Sequence, residues 1–194
     1  MNSRTSLQQS LGLIALLGTS PAMAEDTTRS LIPLTSSGYV GINAGVSDFG
    51  LPSCVAGASC DDTDIGFKVY TGGMVSKMLG AELSYVDLGR LDRNGGDVRA
   101  KGVNLGLVGR LPLSDQFNVF GKIGVVYGWT RTGSPLAGVA TGNKSDMNVS
   151  YGLGAQYDVN RQWALRGDWD AYRLEFAGGR DTVSLFSVGG VYKF

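Results

Sequence analysis

The chain has 194 residues, 17 of them basic and 17 acidic, no histidine, and a hydrophobic content of 43%. That length fits one domain with a sizeable core, and a formal charge of zero offers no basic surface for nucleic acid. No run of about 18 apolar residues is present, which excludes a membrane-spanning helix and leaves alternating β-strands as the route across a bilayer.

In chain order, residues 1–24 read as a secretory signal peptide. Arg4 supplies the positive start, LGLIALL the short apolar core, and TSPAMA places Ala22 and Ala24 before a cut at Glu25; this order of features is that of an export signal. Residues 25–37 (EDTTRSLIPLTSS) read as a flexible lead-in, and 38–194 as one β-barrel domain. Cys54 and Cys60 lie in LPSCVAGASCDD. In an exported chain they are expected to form a local disulfide. Free thiols or a metal pair are the alternatives, and the metal pair lacks both a histidine and a third cysteine. CDDTD at 60–64 reads as a solvated acidic loop rather than a calcium loop. No cofactor is expected.

From Gly38 onward eight segments alternate with period two: 39–47, 64–75, 79–88, 100–111, 117–131, 147–158, 163–174 and 182–194. Most exceed the usual strand of about five or six residues and match the roughly 9–11 that a tilted strand needs to cross a bilayer. Residues 76–78, 113–116 and the neighbours of Asn160 read as tight turns. Residues 48–63, 89–99, 132–146 and 175–181 read as longer polar loops. Short turns on one side and long loops on the other predict an all-β, eight-stranded, antiparallel, up-and-down transmembrane barrel with both ends on the short-turn side.

Parity separates the two faces. One carries aliphatic and aromatic residues almost without charge; the other carries Lys68, Glu82, Arg110, Lys122, Gln156, Arg166 and Asp168 with several glycines. In ALRGDWDAY (164–172) the charges fall on every second residue and Leu165 and Trp169 lie between them. Phe117, Tyr157, Trp163, Tyr192 and Phe194 sit on the apolar face near the short-turn ends, and Tyr85, Tyr127, Trp129 and Trp169 on the same face toward the long loops. Two aromatic girdles around an aliphatic band are the mark of two lipid–water interfaces, so the apolar face is expected to meet lipid and the charged face to fill the lumen. Unpaired buried charges cost several kcal/mol. Glu82 and Asp168, with Asp158 and Asp170 as further acids, are therefore expected to pair with Lys68, Arg110, Lys122 and Arg166. Asp158 and Asp170 are the best candidates for rim positions in water.

Three long stretches, LGAELSYVDLGRL (79–91), VGRLPLSDQFNVFGKIGVVYGW (108–129) and YGLGAQYDVNRQWALRGDW (151–169), together with the closing GGVYKF, resemble the membrane domain of the outer-membrane protein A (OmpA) family. The resemblance implies an interior acid, base, acid and base at Glu82, Arg110, Gln156 and Arg166. Gln156 departs from that pattern, which leaves Arg166 to pair with Glu82 or Asp168 and puts gating by partner exchange in doubt. The resemblance also implies that Phe194 is read by the barrel-assembly machinery of a Gram-negative envelope. Many relatives carry a peptidoglycan-binding domain after the barrel, an activity not expected of a sequence ending at Phe194.

These readings favour a monomeric, porin-like integral barrel in outer-membrane lipid and lipopolysaccharide. Its role would be structural, with a polar, side-chain-filled lumen or a narrow, gated small-solute pore. The alternative is a surface adhesin or binding protein acting through its loops on host or surface ligands. An outer-membrane enzyme of the lipase, acyltransferase or protease kind is disfavoured, because the usual general base is histidine and none is present. The RGD at 166–168 lies within a strand and is not expected to act as a recognition motif.

Overall fold

The computed structural model describes residues 35–50, 63–93, 96–133 and 141–194. The signal-peptide segment, most of the lead-in, and Cys54 with Cys60 lie outside the described residues. Eight strands run β1 (Ser37–Phe49), β2 (Thr63–Met74), β3 (Leu79–Arg93), β4 (Gly96–Pro112), β5 (Phe117–Thr132), β6 (Gly142–Asp158), β7 (Trp163–Phe176) and β8 (Gly179–Lys193). Each pairs antiparallel with its neighbours in sequence, and β1 with β8, to give a closed barrel. Closure continues to the last residue, where Gly38 and Phe194 exchange backbone hydrogen bonds of 2.9 Å in both directions.

The three short turns share one construction. The amides of Val75, Leu113 and Val159 donate to the carbonyls of Leu79, Phe117 and Trp163. The next residue in each turn, Ser76, Ser114 or Asn160, accepts the amide of Leu79, Phe117 or Trp163 through its side-chain oxygen at 2.7–3.0 Å. Small hydroxyl and amide side chains replace a backbone acceptor here, which is why these residue types mark tight turns.

The long-loop side differs from the sequence expectation. Two of the four expected long loops, 89–99 and 175–181, are largely strand. β3 and β4 pair as far as Arg93 and Gly96, and β7 and β8 as far as Phe176 and Gly179. β6 likewise begins at Gly142 rather than near 147. Gly89 breaks the alternation but ends nothing. Its φ of 84° and the register shift between Asp87 and Arg90 make a β-bulge, a geometry that glycine adopts without strain. The bulge moves the inward parity by one residue, so that Leu88 and Leu91 both face inward and are both buried.

β4 and β6 have 17 residues each, well beyond the roughly 9–11 needed to cross the lipid. The strands therefore rise past the bilayer, and the side-chain pattern reverses where they leave it. Along the membrane-spanning part, Ile42, Leu83, Leu105, Ile123, Leu153 and Leu165 are exposed outward. Higher up, the outward positions hold Asp48, Arg99, Arg131 and Arg173, all exposed, and the inward ones are mostly apolar, with the buried hydroxyls of Ser47 and Thr130 donating to the carbonyls of Leu88 and Glu175. The barrel is built inside-out in lipid and in the soluble sense above it.

Candidate functional site

The lumen has two layers. The lower one is a charged cluster drawn from β2, β3, β5 and β7. Asp168 is its centre. Its carboxylate meets Lys68 Nζ at 3.2 Å, Lys122 Nζ at 2.7 Å and Arg166 Nε at 3.1 Å, and accepts from Asn43 Nδ2 at 2.7 Å. Asp170 bridges Lys68 and Lys122, at 2.5 Å from each. Glu82 takes Arg166 at 2.8 Å and a hydrogen bond from the Tyr39 hydroxyl at 3.0 Å, with Lys122 at 3.9 Å. Three acids thus face three bases, and the side chains of all six are at most 8% exposed. Charge balance is what permits such burial, since each ion lost from water must find its counter-ion.

Aromatic rings complete this layer. The Arg166 guanidinium lies 4.5 Å from the ring centre of Tyr70 and 4.2 Å from that of Phe120, within the range of cation–π attraction. Tyr70 also donates to Asn43 Oδ1 at 3.0 Å. Room for its ring comes from Gly41, where an added Cβ would fall within 2.6 Å of three Tyr70 ring and hydroxyl atoms. Gly41→Ala is expected to cost about 1–3 kcal/mol through this overpacking, measured as a lowered urea midpoint of the barrel in phospholipid vesicles. An unchanged midpoint would show that Tyr70 does not need the space.

Of the residues expected in the lumen, Lys68, Glu82, Lys122, Arg166 and Asp168 meet in this cluster. Asp170, expected at a wet rim, is 4% exposed and central to it. Arg110 and Gln156 stand apart. Arg110 makes no ion pair among the described residues, and its Nε is buried without a hydrogen-bond partner. Its cross-strand neighbour is Phe120, whose ring packs on Arg166. Gln156 lies opposite Arg166 in the register but donates to Asp158 Oδ1 at 2.8 Å, and Asp158 pairs at the short-turn end with Lys193 at 2.9 Å. Asn43 and Tyr70 lie on the charged face that parity assigns, though neither carries a charge that marked it for the cluster; Tyr39 shares that parity and was not expected there.

The upper layer is apolar. Phe49, Val86, Leu88, Leu91, Val98, Ala100, Val126, Tyr172, Leu174, Phe176, Val183 and Leu185 form one buried cluster contributed by six strands. Where the two layers meet, a cavity of about 10 Å³ lies among Glu82, Asn104, Lys122, Ser150, Asp170 and Tyr172, room for about one water. Buried side chains thus occupy the lumen in two stacked layers, the charged cluster below and the apolar cluster as a plug above it.

Outside, the aromatic residues fall into three contact groups. Phe67, Tyr85, Trp129 and Tyr127 make a chain on the long-loop side, with ring centres 6.1–6.3 Å apart. Trp163, Tyr192 and Phe194 make another at the short-turn end, where Phe117 and Tyr157 are cross-strand partners. Trp169 joins neither; it touches Tyr151 and Phe186 midway along β7.

A family model described as the OmpA-like transmembrane domain matches residues 34–194. The outer membrane protein A of Yersinia pseudotuberculosis serotype I (strain IP32953) is 29% identical over 141 residues, covering 67% of this chain and 40% of that protein. That of Serratia marcescens is 23% identical over 191 residues, covering 87% and 52%. The chain thus spans about half or less of the length of these curated relatives. Among solved structures, Ail, the attachment invasion locus protein of Yersinia pestis, superposes with a TM-score of 0.55 at 18% identity, over 81% of this chain and 98% of that one.

Proposed function

Because the chain belongs to the family of OmpA-like transmembrane domains, and so is an outer-membrane β-barrel protein of bacteria, we propose that it acts as a closed, non-conducting anchor that carries a rigid platform above the outer leaflet. The apolar plug stacked on the charged layer carries this reading. An ion in transit would have to leave water among the Phe49, Leu88, Leu174 and Leu185 side chains, a transfer that costs many kcal/mol without a partner. The charged layer below holds no spare counter-ion, since every acid in it is already bound to two or more bases.

In this reading residues 1–24 are a cleaved export signal, 25–37 a lead-in and 38–194 the working domain. Cys54 and Cys60 staple the first long loop. Phe194, at the end of the closing strand, is the residue offered to the assembly machinery. The protein works as a monomer, without cofactor and without catalysis; the lack of histidine supports the last point. The rise of the strands beyond the outer girdle favours a second role, in which loops on this platform bind host or surface ligands.

Planar-bilayer recording of the refolded protein is expected to show no channel events, with insertion confirmed by heat-modifiable migration. Discrete openings of the unmodified protein would overturn the closed reading and restore a gated pore.

A further inference from the structure

The charged layer of the lumen balances itself, but the mouth on the short-turn side of it does not. Arg110 lies there, near the end of β4. Its backbone amide donates to the Met78 carbonyl at 2.7 Å, which ties it to the first short turn. The side chain has inward parity, opposite buried Phe120. The residue is partly exposed, yet its Nε is buried without a hydrogen-bond partner, and the guanidinium makes no ion pair among the described residues. The inward acids around it are already taken. Glu82, Asp168 and Asp170 are bound within the charged layer, and Asp158 by Lys193 at 2.9 Å. The mouth is left with one base over, and a partly buried charge without a counter-ion is strongly unfavourable.

A second orphan lies beside it. Asn118 on β5 also faces inward, one inward position nearer the turn than Phe120, and is 7% exposed. Its Oδ1 is buried without a donor. This makes Asn118 a diagonal neighbour of Arg110 on the same face, about 7–8 Å away. Across the next pairing stands Gln156, but its amide is turned aside and donates to Asp158 at 2.8 Å. The two orphans have opposite sense. The Arg110 Nε–H is an unused donor on a cation, and the Asn118 Oδ1 is an unused acceptor. They do not satisfy one another, and folded proteins rarely leave such groups bare.

We propose that this mouth binds the carboxyl end of a peptide, or another N-acylated amino acid, from the periplasmic side. The carboxylate supplies the missing charge. It docks side-on against the Nε–H and the adjacent Nη–H, the fork that a guanidinium presents to two oxygens. The N–H of the same residue donates to Asn118 Oδ1. A bare carboxylate or a phosphate would leave the acceptor unused, and a neutral amide would leave the charge unmatched. The short turns of an outer-membrane barrel face the periplasm, so such a ligand reaches the mouth without crossing the apolar plug. The inference rests on the outer-membrane setting but not on whether the lumen conducts.

The test is titration of the refolded full chain, isotope-labelled in phosphocholine micelles, with N-acetylglycine, acetate, N-acetylglycinamide and, at equal ionic strength, sodium chloride. The readouts are the nuclear magnetic resonances of the Arg110 Nε–H and the Asn118 backbone amide. N-acetylglycine is expected to shift both and to saturate. Acetate is expected to bind about tenfold more weakly, the loss of one hydrogen bond to a buried acceptor. The neutral amide and the salt are expected to move neither resonance. Asn118→Ala is expected to bring N-acetylglycine down to the affinity of acetate, and Arg110→Gln to abolish the shift at Asn118. Arg110→Lys, which keeps the charge and loses the fork, serves if Arg110→Gln refolds poorly, and is expected to weaken N-acetylglycine. Arg161→Gln, at an exposed base in the third short turn, is expected to change nothing. No saturable shift, equal affinity for acetate and N-acetylglycine, an equal response to the amide or the salt, or an equal loss with Arg161→Gln would each overturn the proposal. So would an Asn118 shift in Arg110→Gln equal to that of the parent. Water alone would then satisfy the two groups.

Discussion

Asp168→Ala is expected to destabilise the barrel by about 3–5 kcal/mol, the usual cost of stripping one member from a buried ion cluster. The carboxylate serves Lys68, Lys122, Arg166 and Asn43 at once. Without it, three buried bases are left with Glu82 and Asp170. Adding Lys68→Met restores the balance to two acids and two bases, and is expected to recover more than half of the loss, because an intact pair and an apolar substitute of similar volume are close in energy. Equilibrium urea unfolding in phospholipid vesicles measures both. If Asp168→Ala unfolds at the midpoint of the parent, or if Lys68→Met makes the single variant worse, the cluster is not held by charge balance.

The faces of this barrel were legible in the sequence, but the heights were not. Period-two alternation located all eight strands, and placed Lys68, Glu82, Lys122, Arg166 and Asp168 on the inward side. Parity states only which way a side chain points. How far along the barrel it lies depends on strand tilt and register, which no single segment reveals. Asp170 illustrates this. Two residues beyond Asp168 on the same face, it was expected at a wet rim, yet β7 continues inward with Tyr172, Leu174 and Phe176 above it, so the acid lies deep and meets two lysines. Arg110 is the converse, a base with the right parity that faces Phe120 across the sheet and makes no ion pair among the described residues.

The upper strands were hidden for a different reason. Gly89 and Arg90 look like the start of a polar loop, because charge and glycine are the ordinary signs of one. In the structure they are the outward row of a strand that has left the lipid, with the glycine at a bulge that keeps Leu88 and Leu91 turned inward. Once a strand passes the girdle its outer neighbour changes from hydrocarbon to water, and the preferred polarity of each face exchanges. A search for one uniform alternation along each strand stops at that crossing. The exchange also accounts for the aromatic chain through Tyr85, Trp129 and Tyr127, which lies where the outward residues change from aliphatic to charged.

This reversal separates two leucines that composition cannot tell apart. Leu174 faces the lumen above the girdle and is 1% exposed; Leu105 faces lipid and is 60% exposed. Leu174→Ala removes a side chain from a closed cluster with Phe49, Val126 and Leu185. The cavity it leaves is walled by other strands, so it is expected to cost about 2–5 kcal/mol. Leu105→Ala opens no cavity, because acyl chains close over the site, and the expected cost is about 2 kcal/mol, the transfer cost of its three lost carbons with nothing added for a void. Arginine substitution inverts the order of cause. At Leu105 it puts a charge toward hydrocarbon and costs about 2–4 kcal/mol near the midplane; at Arg173, already exposed beyond the lipid, the opposite change to leucine is expected to shift stability by less than about 0.5 kcal/mol. Urea unfolding of the four variants in the same vesicles gives the comparison. Equal losses for the two alanine variants would mean that the upper lumen is as open to its surroundings as the lipid face, and the plug on which the closed reading rests would not exist.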